Sequence, residues 1–336
     1  MNVPKFDDLP PVEGMPKGCA WGVFDKDGKK DLLGTLNHLT PEVVKAAATE
    51  VKDGVSISLD WPLDAMDRIP MTRRKLTHNV FLTGGGDPPS AYWDDELTFN
   101  TQGSSQWDSI VHWPYQPTGQ VYNGARPTVE ALSRKSGDGK PNTMPTLEHW
   151  HDRGGLVGRG VLIDFKAYAD EKGIAFDPLG LYRISVDEIE AVAAHQGVEF
   201  WPGDVFLLRT GATEALDNQG EFDMQKMADL KLPGVHGDEA TARWFWDRRF
   251  SAVACDTGGF EAFPPLREDG SVGQAVDMVL HKYFLAFFGM PIGEYWDLSR
   301  LARYCEQSGR YSFMLTSQPL NVPGLVGSPP NALAIF

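Results

Sequence analysis

The chain has 336 residues, enough to bury one large core or two modest ones, and its composition (42% hydrophobic, 23% charged) is that of a globular protein. With 46 acidic against 31 basic residues it carries a formal charge of −15, which repels phosphate backbones and anionic lipid surfaces and argues against nucleic-acid or membrane partners. The one tight basic run, Arg73-Arg74-Lys75, is too short to be a binding footprint.

Residues 1–18 read as an extended arm, because Pro4, Pro10, Pro11 and Pro16 withhold backbone donors. The N-terminus lacks the plan of a secretory signal, and no apolar run approaches the ~20 residues of a membrane span. Three widely spaced cysteines, Cys19, Cys255 and Cys305, fit a reduced, cytoplasmic protein rather than a disulfide framework. Thr40-Pro41-Glu42 is a helix start: an N-cap, a proline at the first helical position, and an acid near the positive end of the dipole. Residues 55–59 (VSISL) and 79–83 (NVFLT) read as strands, the second ending in Gly84-Gly85-Gly86. Residues 126–153 are loop-rich, and 158–165 reads as a buried strand. Ser185 and Glu188 form a capping box for a helix that stops at Gly197. A strand over 203–211, a helix over about 239–248 and a strand over 251–256 follow, then a helix across 274–289, another from about 297, and a strand over 311–317. Strands and helices mix without a strict βαβ period, so a mixed-sheet α/β or α+β fold is expected, with residues 19–336 as one domain.

Several apparent motifs carry no chemistry. Gly84-Gly85-Gly86-Asp87 lacks the Gly-Lys-Ser/Thr of a phosphate loop, and residues 155–160 have the wrong glycine spacing for a dinucleotide fold. No Gly-x-Ser-x-Gly elbow supplies a nucleophile. Cys255, inside an apolar strand, reads as core. His149 and His151 have the spacing to project together from a strand, yet have no carboxylate partner of their own.

The stretch NTQGSSQWDSIVHWPY (100–115) is different. If 105–109 is extended, Gln106 and Asp108 share a face. Gln102 lies four residues before this pair and His112 four after it, so turns at either end could bring two amides, a carboxylate and an imidazole together. Oxygen-rich sets of this kind suit manganese or magnesium. Read alone, the same residues are also compatible with a solvated or backbone-bonded polar strand.

This segment resembles the signature of the cyclase-type metal-dependent hydrolases, a family that includes bacterial kynurenine formamidases, isatin hydrolases and trans-dienelactone hydrolase. The usual motif is His-x-Gly-Thr-His-x-Asp-x-x-x-His. Asp108 and His112 match it directly, while Gln102 and Gln106 stand where its two histidines would be. Further similar blocks follow in family order: 32–44, 55–63, 122–124, 158–165, 203–211 and 317–336. The resemblance implies a compact β/β/α domain with a mixed central sheet, assembled as a homodimer or homotetramer, with an arm suited to crossing to a neighbour. It also implies a second half-site, His281 and Glu294, which on sequence alone would read as a core histidine and a turn carboxylate. The implied metal ligands are therefore Gln102, Gln106, Asp108, His281 and Glu294.

Amide oxygens are harder and weaker donors than imidazole, so the exchange shifts the expected single divalent ion from Zn2+ towards Mn2+. The implied reaction is hydrolysis of a lactone, lactam or aryl amide, with His112 as general base and acid. Trp21, Trp107, Trp113 and Tyr115, with Tyr122, are candidate lining for a flat, aromatic or unsaturated substrate. Two alternatives stand beside it: dehydration or isomerisation of a small ring, and a non-catalytic ligand-binding member of the fold.

Overall fold

A computed structural model describes residues 3–68, 73–137, 139, 141–218 and 230–336. Its frame is a nine-stranded mixed sheet. Four strands in its middle run parallel: β5 (Leu156–Asp164), β7 (Val205–Arg209), β9 (Ala252–Cys255) and β10 (Ile292–Glu294). β1 (Ser56–Ser58), β13 (Ala332–Ile335) and β11 (Ser312–Ser317) extend it on the β5 side, all antiparallel. On the other side β10 pairs antiparallel with β4 (Gln106–Asp108), which pairs with β12 (Gly327–Ser328) at the edge. Two small sheets stand apart, the pair β6 (Arg183–Ile184) with β8 (Gly234–Val235), and a hairpin of β2 (Thr77–Gly85) and β3 (Ser90–Thr98).

The parallel strands are mostly apolar, as strands covered on both faces tend to be, and their charged residues Arg159, Asp164 and Arg209 are held in ion pairs. Each face of the sheet carries its own core. One core joins Ile163, Phe206, Val253 and Ile292 to the helices Val186–Gln196 and Glu239–Arg248 and to the aromatic segment 283–288. The other joins Trp107, Trp150, Leu207, Trp296 and Phe313 to the helix Ser299–Ser308.

Local signals set many boundaries where expected. Thr40 caps the helix Pro41–Ala48, accepting from the Val43 N–H. Ser185 and Glu188 close their capping box, and the helix ends at Gly197 with φ 67°. The helix Glu239–Arg248 starts on the Asp238 carboxylate.

Two expectations need correction. Residues 274–289 are not one α-helix: a 3-10 turn Ala275–Asp277 leads to a single α-turn, Val279–His281, and then a π-helix, Lys282–Phe288, closed by Gly289. All of Tyr283–Phe288 is buried, so this segment packs on every side rather than showing one apolar stripe. The pair His149 and His151 lies on a short helix, His149–Arg153. Their Nε2 atoms sit 2.9 Å from the Met144 and Pro319 carbonyls, a structural use of both rings. The strand expected at 79–83 is present within β2, in an exposed hairpin outside the main sheet.

Of the arm, residues 1 and 2 lie outside the described residues. The rest lies against its own chain and includes a 3-10 turn at Phe6–Asp8. The Phe6 ring is fully buried, its N–H donates to Asp247 Oδ1, and Trp246 Nε1 donates to the Pro4 carbonyl.

Candidate metal centre and substrate cavity

The site is built on the β4–β10 ladder. In register, Gln106 lies opposite Glu294 and Asp108 opposite Ile292. Strand alternation puts Gln106, Asp108 and Glu294 on one face and Trp107 on the other. Gly327 pairs with Asp108 on the far side, and a Cβ there would come within 2.6 Å of Gln102 Cγ, so the missing side chain is what lets Gln102 approach.

His281 reaches the same place from the α-turn beside the sheet. Ligand atoms of Asp108, His281 and Glu294 lie within 4.8 Å of one another, and all three residues are buried. His281 Nε2 stands 3.4 Å from Glu294 Oε1, while Nδ1 is 2.9 Å from Glu261 Oε1. Glu261 was not visible in the sequence. It is fully buried and accepts the backbone N–H groups of Val279 and His281 at 2.8 Å each, fixing both the α-turn and the ring it carries. Burial alone would depress the His281 imidazole, but Glu261 and Glu294 outweigh it and push it up to about 10. Burial, then the neighbouring Asp108, raises the Glu294 carboxyl above its ordinary value, against opposing effects of His281 and His112.

These residues fit a divalent cation. Two carboxylates and an imidazole converge in a buried spot, where paired negative charge is costly without a counter-ion. A carboxylate behind the histidine, as Glu261 is here, is the common way to fix the tautomer and direction of a ligating ring. A histidine ligand must release the proton that Glu261 and Glu294 favour, so cation binding is tied to proton release.

The two glutamines are in place but turned. Gln106 Nε2 donates to Glu294 Oε2 at 2.8 Å, and its Oε1 accepts from Arg73 Nη1 at 3.2 Å. Gln102 Nε2 donates to Asp108 Oδ1 and lies 3.1 Å from His112 Nδ1. Amide nitrogens, not oxygens, thus face the carboxylates. A half-turn of either amide exchanges the two at no change in volume. His112 Nε2 lies 3.9 Å from Asp108 Oδ2, and its side chain is 25% exposed, so it alone of the cluster's titratable groups is open to solvent.

The aromatic candidates divide. Trp113 packs edge-on to His281, ring centroids 5.7 Å apart, and Tyr115 packs on Phe287 at 5.2 Å. Both line a cavity of about 850 Å³ that also takes in Val279 and Lys282, next to the site histidine. Among the described residues the buried Trp113 indole N–H has no hydrogen-bond partner. Trp107, expected in the lining, is fully buried between Trp150 and Trp296 and donates to Ser317 Oγ, because it occupies the odd position of its strand. Trp21, also expected there, donates to the Ala286 carbonyl and pins the π-helix, and Tyr122 is tied to Asp31. Neither Trp21 nor Trp107 lines this cavity.

Residues 38–262 match the model of the putative cyclase family. The chain belongs to that family. A crystal structure of a novel cyclase is 31% identical, covers 95% of this chain and 99% of its own, and superposes with a TM-score of 0.76. Isatin hydrolase A from Labrenzia aggregata, bound to benzyl benzoate, is 17% identical over 89% of this chain and 98% of its own, TM-score 0.54. Isatin hydrolase A from Ralstonia solanacearum is 14% identical over 88% and 98%, TM-score 0.53. At those identities the two hydrolases share the cyclase fold with this chain. No curated protein matches its sequence significantly. Among the described residues no helix is long and apolar enough to cross a membrane.

Proposed function

We propose that this cyclase-family protein is a metal-dependent hydrolase that opens a lactone or lactam or cleaves an aryl amide. The observation that carries this reading is the buried convergence of Asp108, His281 and Glu294 beside a solvent-open His112. Those three residues would hold one divalent ion, Mn2+ or Zn2+, with Gln102 and Gln106 completing the shell through their oxygens after a half-turn of each amide. When bound, such an ion acidifies water and polarises a carbonyl oxygen.

His112 takes the proton of the attacking water and returns it to the leaving oxygen or nitrogen. Gln102 decides which ring nitrogen is free to do so. With its oxygen towards Nδ1–H, Nε2 is left unprotonated on the side facing Asp108. Trp113 and Tyr115, which line the cavity, hold a flat, aromatic or unsaturated substrate.

The first test is divalent-metal content of freshly purified protein by elemental mass spectrometry, with no chelator in any buffer. About one manganese or zinc per chain is expected. Asp108→Asn should lose metal and activity together, whereas His112→Ala should keep the metal and lose at least ~100-fold in turnover of lactones or aryl amides. Full metal content in Asp108→Asn overturns the ligand assignment.

The amide-to-carboxylate hydrogen bonds from Gln102 and Gln106 favour a second reading, a non-catalytic ligand-binding member of the fold. Protein that stays metal-free after dialysis against both ions would bring that reading forward. Product mass separates the ring dehydratase or isomerase alternative, since only hydrolysis adds one water.

A further inference from the structure

The two site glutamines are not equally free to turn. Gln102 points its Nε2 at Asp108 and His112, and among the described residues nothing donates to its Oε1. Gln106 is fully buried and held at both ends of its amide. Its Nε2 donates to Glu294 Oε2 at 2.8 Å, and its Oε1 accepts from Arg73 Nη1 at 3.2 Å.

Those two partners make opposite demands. A guanidinium carries five N–H groups and no acceptor, so beside Arg73 only the amide oxygen fits. An ionised carboxylate accepts only, so beside Glu294 only the amide nitrogen fits. Turning Gln106 sets donor against donor on one side and oxygen against oxygen on the other. A divalent ion shared by the two oxygens removes the second conflict but leaves the first untouched. Arg73 alone then opposes the turned amide. We propose that Arg73 is a positioning residue that competes with the metal ion for the Gln106 amide oxygen, and so sets how tightly the centre holds its ion. The inference rests on the metal-centre reading above and adds to it a residue outside the ligand set.

Two observations make Arg73 a contact that can be given up. Its other acceptor is the Gln102 carbonyl, so both of its partners are neutral amide oxygens, and among the described residues it forms no ion pair. Neutral acceptors hold a guanidinium less firmly than a carboxylate does. Arg73 is also only half-buried, just before the exposed strand β2, so its side chain can leave Gln106 without displacing core residues. The Gln102 backbone keeps a second anchor when it does, because its N–H still donates to Asn100 Oδ1 at 2.9 Å.

The test is calorimetric titration of the full chain, stripped with chelator and freed of it, with Mn2+ and with Zn2+. Wild type, Arg73→Ala, Gln106→Ala and the double variant are compared. Removing a cation beside the centre favours any dication by charge alone, and it loosens the Gln102 backbone. Both effects are the same with or without the Gln106 amide, so the double-mutant cycle separates them from competition for its oxygen. Arg73→Ala should tighten metal Kd about 10-fold when Gln106 is present, on the order of one hydrogen bond to a charged group. In the Gln106→Ala background the gain should be no more than about 3-fold. Equal tightening in the two backgrounds overturns the proposal, as does no tightening in the first. If the wild type binds neither ion, Arg73→Ala should restore binding, and a variant that also binds neither overturns it. Substrate is absent throughout, so a chain that behaves as expected here and turns over no lactone or amide ends the hydrolase reading alone.

Discussion

Two antiparallel ladders in this molecule are built alike and used in opposite ways. β4 and β10 are three residues each, wholly buried, with Gln106, Asp108 and Glu294 on the side of the metal centre and Trp107 filling the core behind. β2 and β3 are nine residues each and almost entirely in solvent. The short ladder has no need of length, because its neighbours on both faces supply the stability, and the long one cannot supply its own. Burial rather than strand length decides what a tryptophan is worth in each place.

That contrast can be broken most directly with one residue type. Trp107→Ala should cost about 3–5 kcal/mol, since the ring is fully buried between two other indoles. Trp93→Ala, whose ring is 75% exposed on the hairpin, should stay within about 0.5 kcal/mol. Denaturant melts of both variants decide it; equal losses would mean that the Trp93 ring is not free in solvent. Glu261→Gln sharpens the buried side. It leaves the ligands in place but exchanges one acceptor oxygen for a donor facing N–H groups, so metal affinity by calorimetry should weaken about 10–100-fold. An unchanged Kd would deny Glu261 any part in aiming His281.

A smaller effect separates the interior by its response to acid. Burial, with a smaller effect of Arg249, holds His38 down at about 3. Between pH 3 and its unfolded value near 6.5 the unfolded chain binds this proton and the folded chain does not. His38 therefore favours unfolding increasingly as pH falls through that window and is neutral above it. His38→Gln should flatten the decline of Tm between pH 6.5 and 4; parallel profiles would show that the ring charges without opening the fold.

Where the chain carries its own instructions, the sequence could be read closely. Thr40, Ser185, Glu188, Gly197 and Asp238 act on their own helix ends, so the boundaries at 41, 186, 196 and 239 follow from side-chain chemistry within one turn. β10, β12 and β13 were not legible, because two to four residues contain no period and exist as strands only through the strands they pair with. The π-helix escaped for a related reason, as a run apolar on all sides hides its own pitch. At the site, the alternation of Gln106 and Asp108 could be seen locally, and the link to His281 and Glu294 came from family resemblance. Glu261 gave no signal, since it lies twenty residues before His281 and is brought there by the Val235–Glu261 bridge and the turn that follows. Trp107 obeys the same alternation as its neighbours, and its odd position sends the ring into the core rather than towards the site.

The pairing of Gln106 with Glu294 has one more consequence. Groups that meet at the centre from sequence positions almost two hundred residues apart are fastened by the same backbone hydrogen bonds, so their separation does not depend on whether anything is bound. Amide protons of β4 and β10 should accordingly exchange with deuterium only as slowly as the sheet opens, with or without metal. Whatever adapts to a ligand here must then be side-chain rotation, the amides above all, on a backbone that is already committed.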